Sequence, residues 1–201
     1  MGLLFVNSIL IISYPKHPIM ESNAVITVHT YCSPIGTLLL GSVSEKLCLC
    51  DWRNQTAPTA HSKRIDQRLQ TRLSALYREG TTEVIETAQI QLEEYFSRQR
   101  RIFTLPLLFT GTAFQLMVWQ ALMQIPYGTT RSYAELACLI GKPTAVRAVA
   151  NANHANPLSL FVPCHRVIGS NGQLTGYGGG LAIKQQLIRL EVDDRLSTIS
   201  E

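Results

Sequence analysis

The stretch PCHRV at 163–167 sets a cysteine beside a histidine, and the glycine-rich GYGGG at 176–180 follows soon after. A thiol becomes a nucleophile when a neighbouring base or positive charge favours the thiolate. On extended backbone, adjacent side chains point to opposite faces, so His165 would serve Cys164 through a bridging water. The imidazole then needs a carboxylate to orient it, and Glu191 near the end of the chain is the candidate. A Cys-His dipeptide alone is weak evidence, since a buried structural cysteine is the more common case.

The glycine run has two readings as well. It fits a flexible linker, but Tyr177 inside it suggests a wall, with glycines letting the backbone approach a planar ligand closely. It lacks the GxxxxGK[ST] pattern of a phosphate loop. Asn156-Pro157 is a turn signal, and an asparagine there can brace the backbone leading to Cys164.

These residues must be held by a second unit that starts near Gly111. Thr112 can cap a helix over AFQLMVWQALMQI, with Phe114, Val118, Leu122 and Ile125 on one face. Pro126-Tyr127-Gly128 stops it. Ser132 and Glu135 form a capping box for YAELACLIG. Gly141-Lys142-Pro143 turns the chain into a short helix from Thr144 to Asn153 that carries Arg147. Helix, glycine turn, helix is the outline of a helix-turn-helix, although spacing alone favours a plain helical hairpin. A last amphipathic helix runs over LAIKQQLIRLE at 181–191.

The first half reads differently. Residues 24–52 alternate like strands around the Ser33-Pro34-Ile35-Gly36 turn. Within them, Cys48-Leu-Cys50 puts both thiols on one face as core packing. Residues 53–64 read as loop, 65–80 as a helix closed by Gly80, and 84–100 as a second helix. Residues 101–114 read as a last strand and linker, broken by Pro106 and Gly111. The fold class is therefore α+β: a small N-terminal domain with an antiparallel β-sheet and helices, then a mostly helical C-terminal domain with a helix-turn-helix. The expected division is an extension over 1–23, a first domain over 24–110 and a second over 111–201.

Composition is consistent with this. The 201 residues are 46% apolar and 16% charged, enough for a real core. A net charge of +4 permits nucleic acid without requiring it. Five cysteines without a CxxC pair do not make a disulfide framework, which points to reducing cytoplasm. The apolar start, MGLLFVNSILIISYP, is too short to span a bilayer and lacks the positive region of a signal peptide. Met20 is expected to lie near the meaningful start of the chain.

PCHRV, together with FQLMVWQAL (114–122), IPYGTTRSYAELA (125–137), RAV (147–149), NP (156–157), GYGGG and K…LIRLE (184–191), resembles the O6-alkylguanine-DNA alkyltransferases. The motifs stand in that family's order and spacing, closest to the bacterial single-function type, and SPIGTLLLG (33–41) is similar to the start of its N-terminal, RNase H-like domain. The resemblance implies that Cys164 accepts the alkyl group, His165 is the water-linked base and Glu191 completes the relay. It implies that Asn156 holds the hinge beside the helix-turn-helix and that Arg147 fills the stack after a base is flipped. Tyr133 would crowd the 3′ phosphate and assist protonation of the base, and Tyr177 would line the pocket. The backbones of Cys164, Val167 and Gly178 would bond the guanine.

The expected partner is double-stranded DNA carrying alkylated bases, met in the minor groove by a monomer, with no membrane, metal or cofactor. Gly178 stands where some relatives carry Ser, and Ala150 and His154 stand where relatives often have Gly. That places His154 near the DNA face. Three rival readings remain: a lesion-binding relative that recruits other repair factors, a helix-turn-helix regulator, and a cysteine hydrolase. Cys164 argues against the first and PCHRV against the second. A triad histidine would rarely be the next residue along a strand, which argues against the third.

Overall fold

The computed structural model describes residues 24–54 and 57–199, with side chains described through 193; the expectations for residues 1–23, including the one for Met20, lie outside these. Three antiparallel strands open the chain: β1 (Ala24–Ser33), β2 (Gly36–Val43) and β3 (Lys46–Arg53). Helix α1 (Ala60–Leu73) then returns the chain to β4 (Ala75–Glu79), which pairs in parallel with β1. The sheet order is β3-β2-β1-β4. Helix α2 (Glu83–Phe96) follows, capped by Thr82.

The expected helix over 65–80 is corrected here. It starts earlier, because Thr59 accepts from the Ser62 amide, and it stops at Leu73 because Ser74 adopts the left-handed conformation (φ 49°, ψ 43°). Leu76 and Tyr77, which fit the helical spacing, belong to β4 instead. The expected last strand near 101–114 is reduced to one bridge, Leu107 to Leu47. Pro106 lacks a donor, and the segment makes no ladder beyond that point.

The Cys48/Cys50 reading is also corrected. A bulge lies where Gly41 pairs Leu49 while Ser42 pairs Leu47, so Cys48 is the extra residue. The inserted residue breaks the alternation. Cys50 joins the large core and Cys48 the smaller cluster beside Ile26, Ile65 and Leu69.

The second half is helical. Helix α3 (Ala113–Leu122) and helix α4 (Tyr133–Leu139) each begin with a full capping box, from Thr112/Gln115 and Ser132/Glu135. Gly141 turns at φ 68°, a left-handed value glycine adopts without strain. Helix α5 (Val146–His154) follows, packed on both α3 and α4. The Trp119 indole fixes it by donating to the Ala152 carbonyl at 2.9 Å. The chain then runs through a 3-10 turn (Cys164–Arg166) into β6 (Val167–Ile168), which pairs in parallel with β5 (Arg131–Ser132). Helix α6 (Leu181–Ile199) ends the description.

One core joins the two halves. Leu38, Leu40 and Trp52 of the sheet share a cluster with Val118, Leu136, Val162 and Leu187. The outer edge of β3 is stitched to the second half by backbone bonds, Cys50 N–H to Pro157 O at 2.8 Å and Ser159 N–H to Cys50 O at 2.7 Å. That edge is thus covered by the segment leading to Cys164 rather than left open. Among the described residues, no helix is long and apolar enough to cross a membrane.

Candidate active site

Cys164 opens the 3-10 turn and is 4% exposed. The sequence reading put it on a strand; strand geometry begins only at Val167. Two asparagines hold the approach. Asn156 donates to Val162 O at 2.9 Å and accepts from the Leu158 amide at 3.0 Å, so one buried side chain fixes the bend before the cysteine. Asn153, on α5, donates to Cys164 O at 3.3 Å. The second helix of the expected motif is therefore bonded directly to the cysteine's own carbonyl.

His165 is fully buried and lies 2.9 Å from Glu191 Oε1 through Nε2. An ionised carboxylate only accepts, so Nε2 carries the proton and Nδ1 keeps its lone pair. Nδ1 is buried without a protein hydrogen-bond partner. Glu191 is held from several sides: Arg166 donates to both its oxygens at 2.9 Å, Tyr95 Oη donates at 2.8 Å, and the Gly128 amide at 3.1 Å. Burial alone would raise the Glu191 carboxyl, but His165 and Arg166 outweigh it and hold it well below the usual range. Burial pushes the His165 imidazole down, against the pull of Glu191, so it is neutral and able to accept a proton.

Burial likewise raises the Cys164 thiol, opposed by an Asn156 hydrogen bond and the Lys184 charge. The resting cysteine is a protonated thiol beside a neutral base. Lys184 is itself buried, with Nζ donating to Thr175 O at 2.7 Å and to Val167 O. Burial brings its ammonium down to about 8.

The other expected residues fall into two groups. Tyr133, Arg147, Val146, Thr144 and Ala150 line one open hollow of about 550 Å³ on the helix-turn-helix. Arg147 is exposed there, while the Tyr133 hydroxyl points inward to Thr175 O at 3.3 Å. Tyr177 and Gly178 lie instead against the N-terminal half. The Tyr177 hydroxyl accepts from Trp52 Nε1 at 2.8 Å. Val167 is buried, with its carbonyl turned to Lys184. His154, expected near the DNA face, packs on His61 of α1, with Nε2 3.1 Å from His61 Nδ1.

Two family models match consecutive parts of the chain: the ribonuclease-like domain of 6-O-methylguanine DNA methyltransferase over residues 26–109, and its DNA binding domain over 113–192. The chain belongs to the 6-O-methylguanine DNA methyltransferase family. It is 40% identical over 168 residues to the constitutive methylated-DNA–protein-cysteine methyltransferase of Bacillus subtilis, covering 79% of this chain and 91% of that protein. The crystal structure of the Mycobacterium tuberculosis O6-methylguanine methyltransferase superposes with a TM-score of 0.70 at 40% identity, covering 84% of this chain and 94% of that one. A complex of the Mycobacterium tuberculosis protein with DNA gives 0.69 at 40% identity, with 85% and 94% covered.

Sequence reasoning missed several residues that surround this site. Arg166 stands inside PCHRV yet was not given a role, although an arginine next to the base is a natural counter-charge for Glu191. Lys184 and Glu191 both fall on the face of α6 that also carries Leu187, and that polar pair on an apolar stripe was the available signal. Tyr95 and Trp52, remote in sequence, left none.

Proposed function

We propose that the chain repairs alkylated DNA by direct reversal, moving the alkyl group from O6-alkylguanine, and from O4-alkylthymine, irreversibly onto Cys164. The observation that supports this is a buried Cys164 followed in the chain by a buried His165, whose Nε2 is bonded to a Glu191 fixed by Arg166, Tyr95 and Gly128. The base must leave the duplex to reach a thiol that is 4% exposed, which costs a few kcal/mol, less for a poorly pairing alkylated base. Arg147 fills the gap from the exposed face of α5, and Tyr133 crowds the neighbouring phosphate. The flipped base lies along Tyr177, bonded by the backbones of Cys164, Val167 and Gly178.

The thiol proton passes through water to His165 Nδ1, and Glu191 stabilises the imidazolium that results. Sulfur then attacks the alkyl carbon. The S–C bond forms as the C–O6 bond breaks, the electron pair goes to guanine O6, and the base takes up one proton. Donation by the Tyr133 hydroxyl assists that last step. The sum is thiol plus alkylguanine to thioether plus guanine. No step removes the thioether, so each molecule acts once.

The partner is double-stranded DNA, bound by a monomer through phosphate contacts in the minor groove. The division at 24–110 and 111–201, with an extension before it, belongs to this reading, as does a place in the reducing cytoplasm, where five free thiols persist. The lesion-binding alternative is not favoured, because the acceptor cysteine is present with its relay. The test is titration with an O6-methylguanine duplex followed by mass spectrometry. One methyl per protein, on Cys164, is expected; several turnovers, or a methyl elsewhere, would overturn the reading.

A further inference from the structure

The wall of the proposed pocket is built by two separate parts of the chain. Tyr177, which is buried, and Gly178 and Gly179, which are half-buried, lie against side chains of the first half. Trp52, at the end of β3, donates its indole N–H to the Tyr177 hydroxyl at 2.8 Å. A Cβ built on Gly179 would fall 2.6 Å from the same indole, and one built on Gly178 would overlap His61 Nε2. His61 is not free to swing away. It faces Asp51 Oδ1 at 3.4 Å on one side and His154, the last residue of α5, at 3.1 Å on the other.

From this geometry we infer that Trp52 and His61 are positioning residues for alkyl transfer. They clamp the 177–179 segment so that the base-binding wall is preformed, and His61 ties that wall to the end of the helix that meets DNA. The inference rests on the proposed function and assigns part of the pocket to the sheet domain. It explains why Gly178 and Gly179 must lack side chains: the space a Cβ would fill is already taken by these two rings. It also explains a buried tyrosine hydroxyl that the transfer chemistry does not use. Tyr177 is oriented by a bond to β3, and leaving that hydroxyl without its donor is unfavourable in a buried site.

The two rings act on binding of the base rather than on the proton relay, and the tests separate these. In Trp52→Phe, with O6-methylguanine duplex, the concentration giving half the maximal transfer rate should rise about tenfold while the maximal rate is nearly kept. A merely structural role would instead lower the number of methyl groups accepted per protein and leave half-saturation unchanged in the active fraction. Trp52→Phe/Tyr177→Phe should be no worse than Trp52→Phe alone, because both partners of the bond are gone. Should Trp52→Phe not fold, Gly178→Ala serves independently. It should weaken capture of free O6-benzylguanine, and so should His61→Ala alone, since each disturbs the clamp. Harmless Gly178→Ala, harmless His61→Ala, or additive losses in the Trp52/Tyr177 pair would overturn the inference. A wild-type protein that accepts no alkyl group would overturn the proposed function instead.

Discussion

Strand β3 and the turn after Pro163 each bury thiols, and the two regions show what burial does not decide. Cys48 and Cys50 are fully buried and Cys164 is 4% exposed. Burial raises all three thiols, Cys48 to about 12. The surroundings then diverge. Cys48 donates weakly to the Gly41 carbonyl at 3.4 Å within an aliphatic cluster, and among the described residues no basic group opposes its burial. Cys164 has the Asn156 amide and the Lys184 ammonium pulling the other way, and a neutral histidine follows it in the chain. Low dielectric makes an isolated thiolate costly in both places; Arg53 opposes burial at Cys50, but Asp51 reinforces it, while Cys164 has an ammonium and a hydrogen-bond donor on its side and a neutral base next in the chain.

The strongest way to break that contrast is to exchange the thiols' fates. Cys164→Ser should accept no methyl group, because a hydroxyl is too weak an acid for this relay, while binding to a lesion duplex survives in a mobility-shift assay. Cys50→Ala should still accept one equivalent and lose only packing, about 1 kcal/mol in denaturant melts. Transfer by the serine variant, or loss of transfer in the alanine variant, would erase the distinction.

Next in size is Glu191→Gln. The substitution leaves Arg166 buried without its counter-charge and His165 without a carboxylate, so unfolding free energy should drop by about 3 kcal/mol. The pH dependence follows the same pair. Both the Glu191 carboxyl and the His165 imidazole sit below their unfolded values, so the unfolded chain binds more protons as the solution is acidified. Their contribution to stability is present above about pH 6.5 and is lost as pH falls through the histidine and then the carboxylate range. Melts from pH 7 to pH 4 should therefore show a steep acid limb in the wild type. Above the carboxylate range Glu191→Gln should be at least as steep, because His165 then loses the carboxylate that pulls its imidazole up. A flat wild-type limb would mean that this network does not govern acid stability.

Arg147→Ala comes after it. The side chain is exposed and bonded to none of the relay residues, so it should slow methyl transfer from duplex on the order of tenfold, by removing what holds the flipped state. Reaction with free O6-benzylguanine should be unchanged. Equal slowing of both substrates would make Arg147 structural.

The contrast also explains what could be read from sequence. The Ser132/Glu135 cap was legible because it is a local pattern, and Asn156 stands at the bend its turn signal suggested, but Cys164–Arg166, expected as strand, forms a 3-10 turn. Glu191 was reachable through the chemistry, since a buried imidazole asks for a carboxylate. Tyr95 and Trp52 were not, because they meet the site only through tertiary packing. The α1 boundary failed for a related reason. Leu76 and Tyr77 continue the helical spacing, and only pairing with β1 decides that they are strand. Cys48 was misplaced because a bulge shifts every side chain beyond it, and alternation cannot foresee an inserted residue.

The smallest expected effect tests how tightly the second region is packed. The thiol lies among buried neighbours, and its turn is pinned at three points: Asn153 on the Cys164 carbonyl, Asn156 on Val162, and the Leu158 amide on Asn156. Replacing the thiol hydrogen by a methyl group adds volume where the backbone cannot yield without straining these bonds. Overpacking of this kind typically costs about 1–3 kcal/mol. Asn153 belongs to α5, so the strain reaches the helix proposed to meet DNA. The methylated protein should thus melt lower than the unmodified one and release DNA more readily. An equivalent methyl on Cys32, which is exposed on β1, should change neither. The comparison needs one preparation titrated to completion with O6-methylguanine duplex and one left untreated, both melted and both tested for DNA retention. An unchanged or raised melting temperature would show that the turn has room to spare, and would remove the argument that modification is communicated through Asn153 while leaving Cys164 as the acceptor.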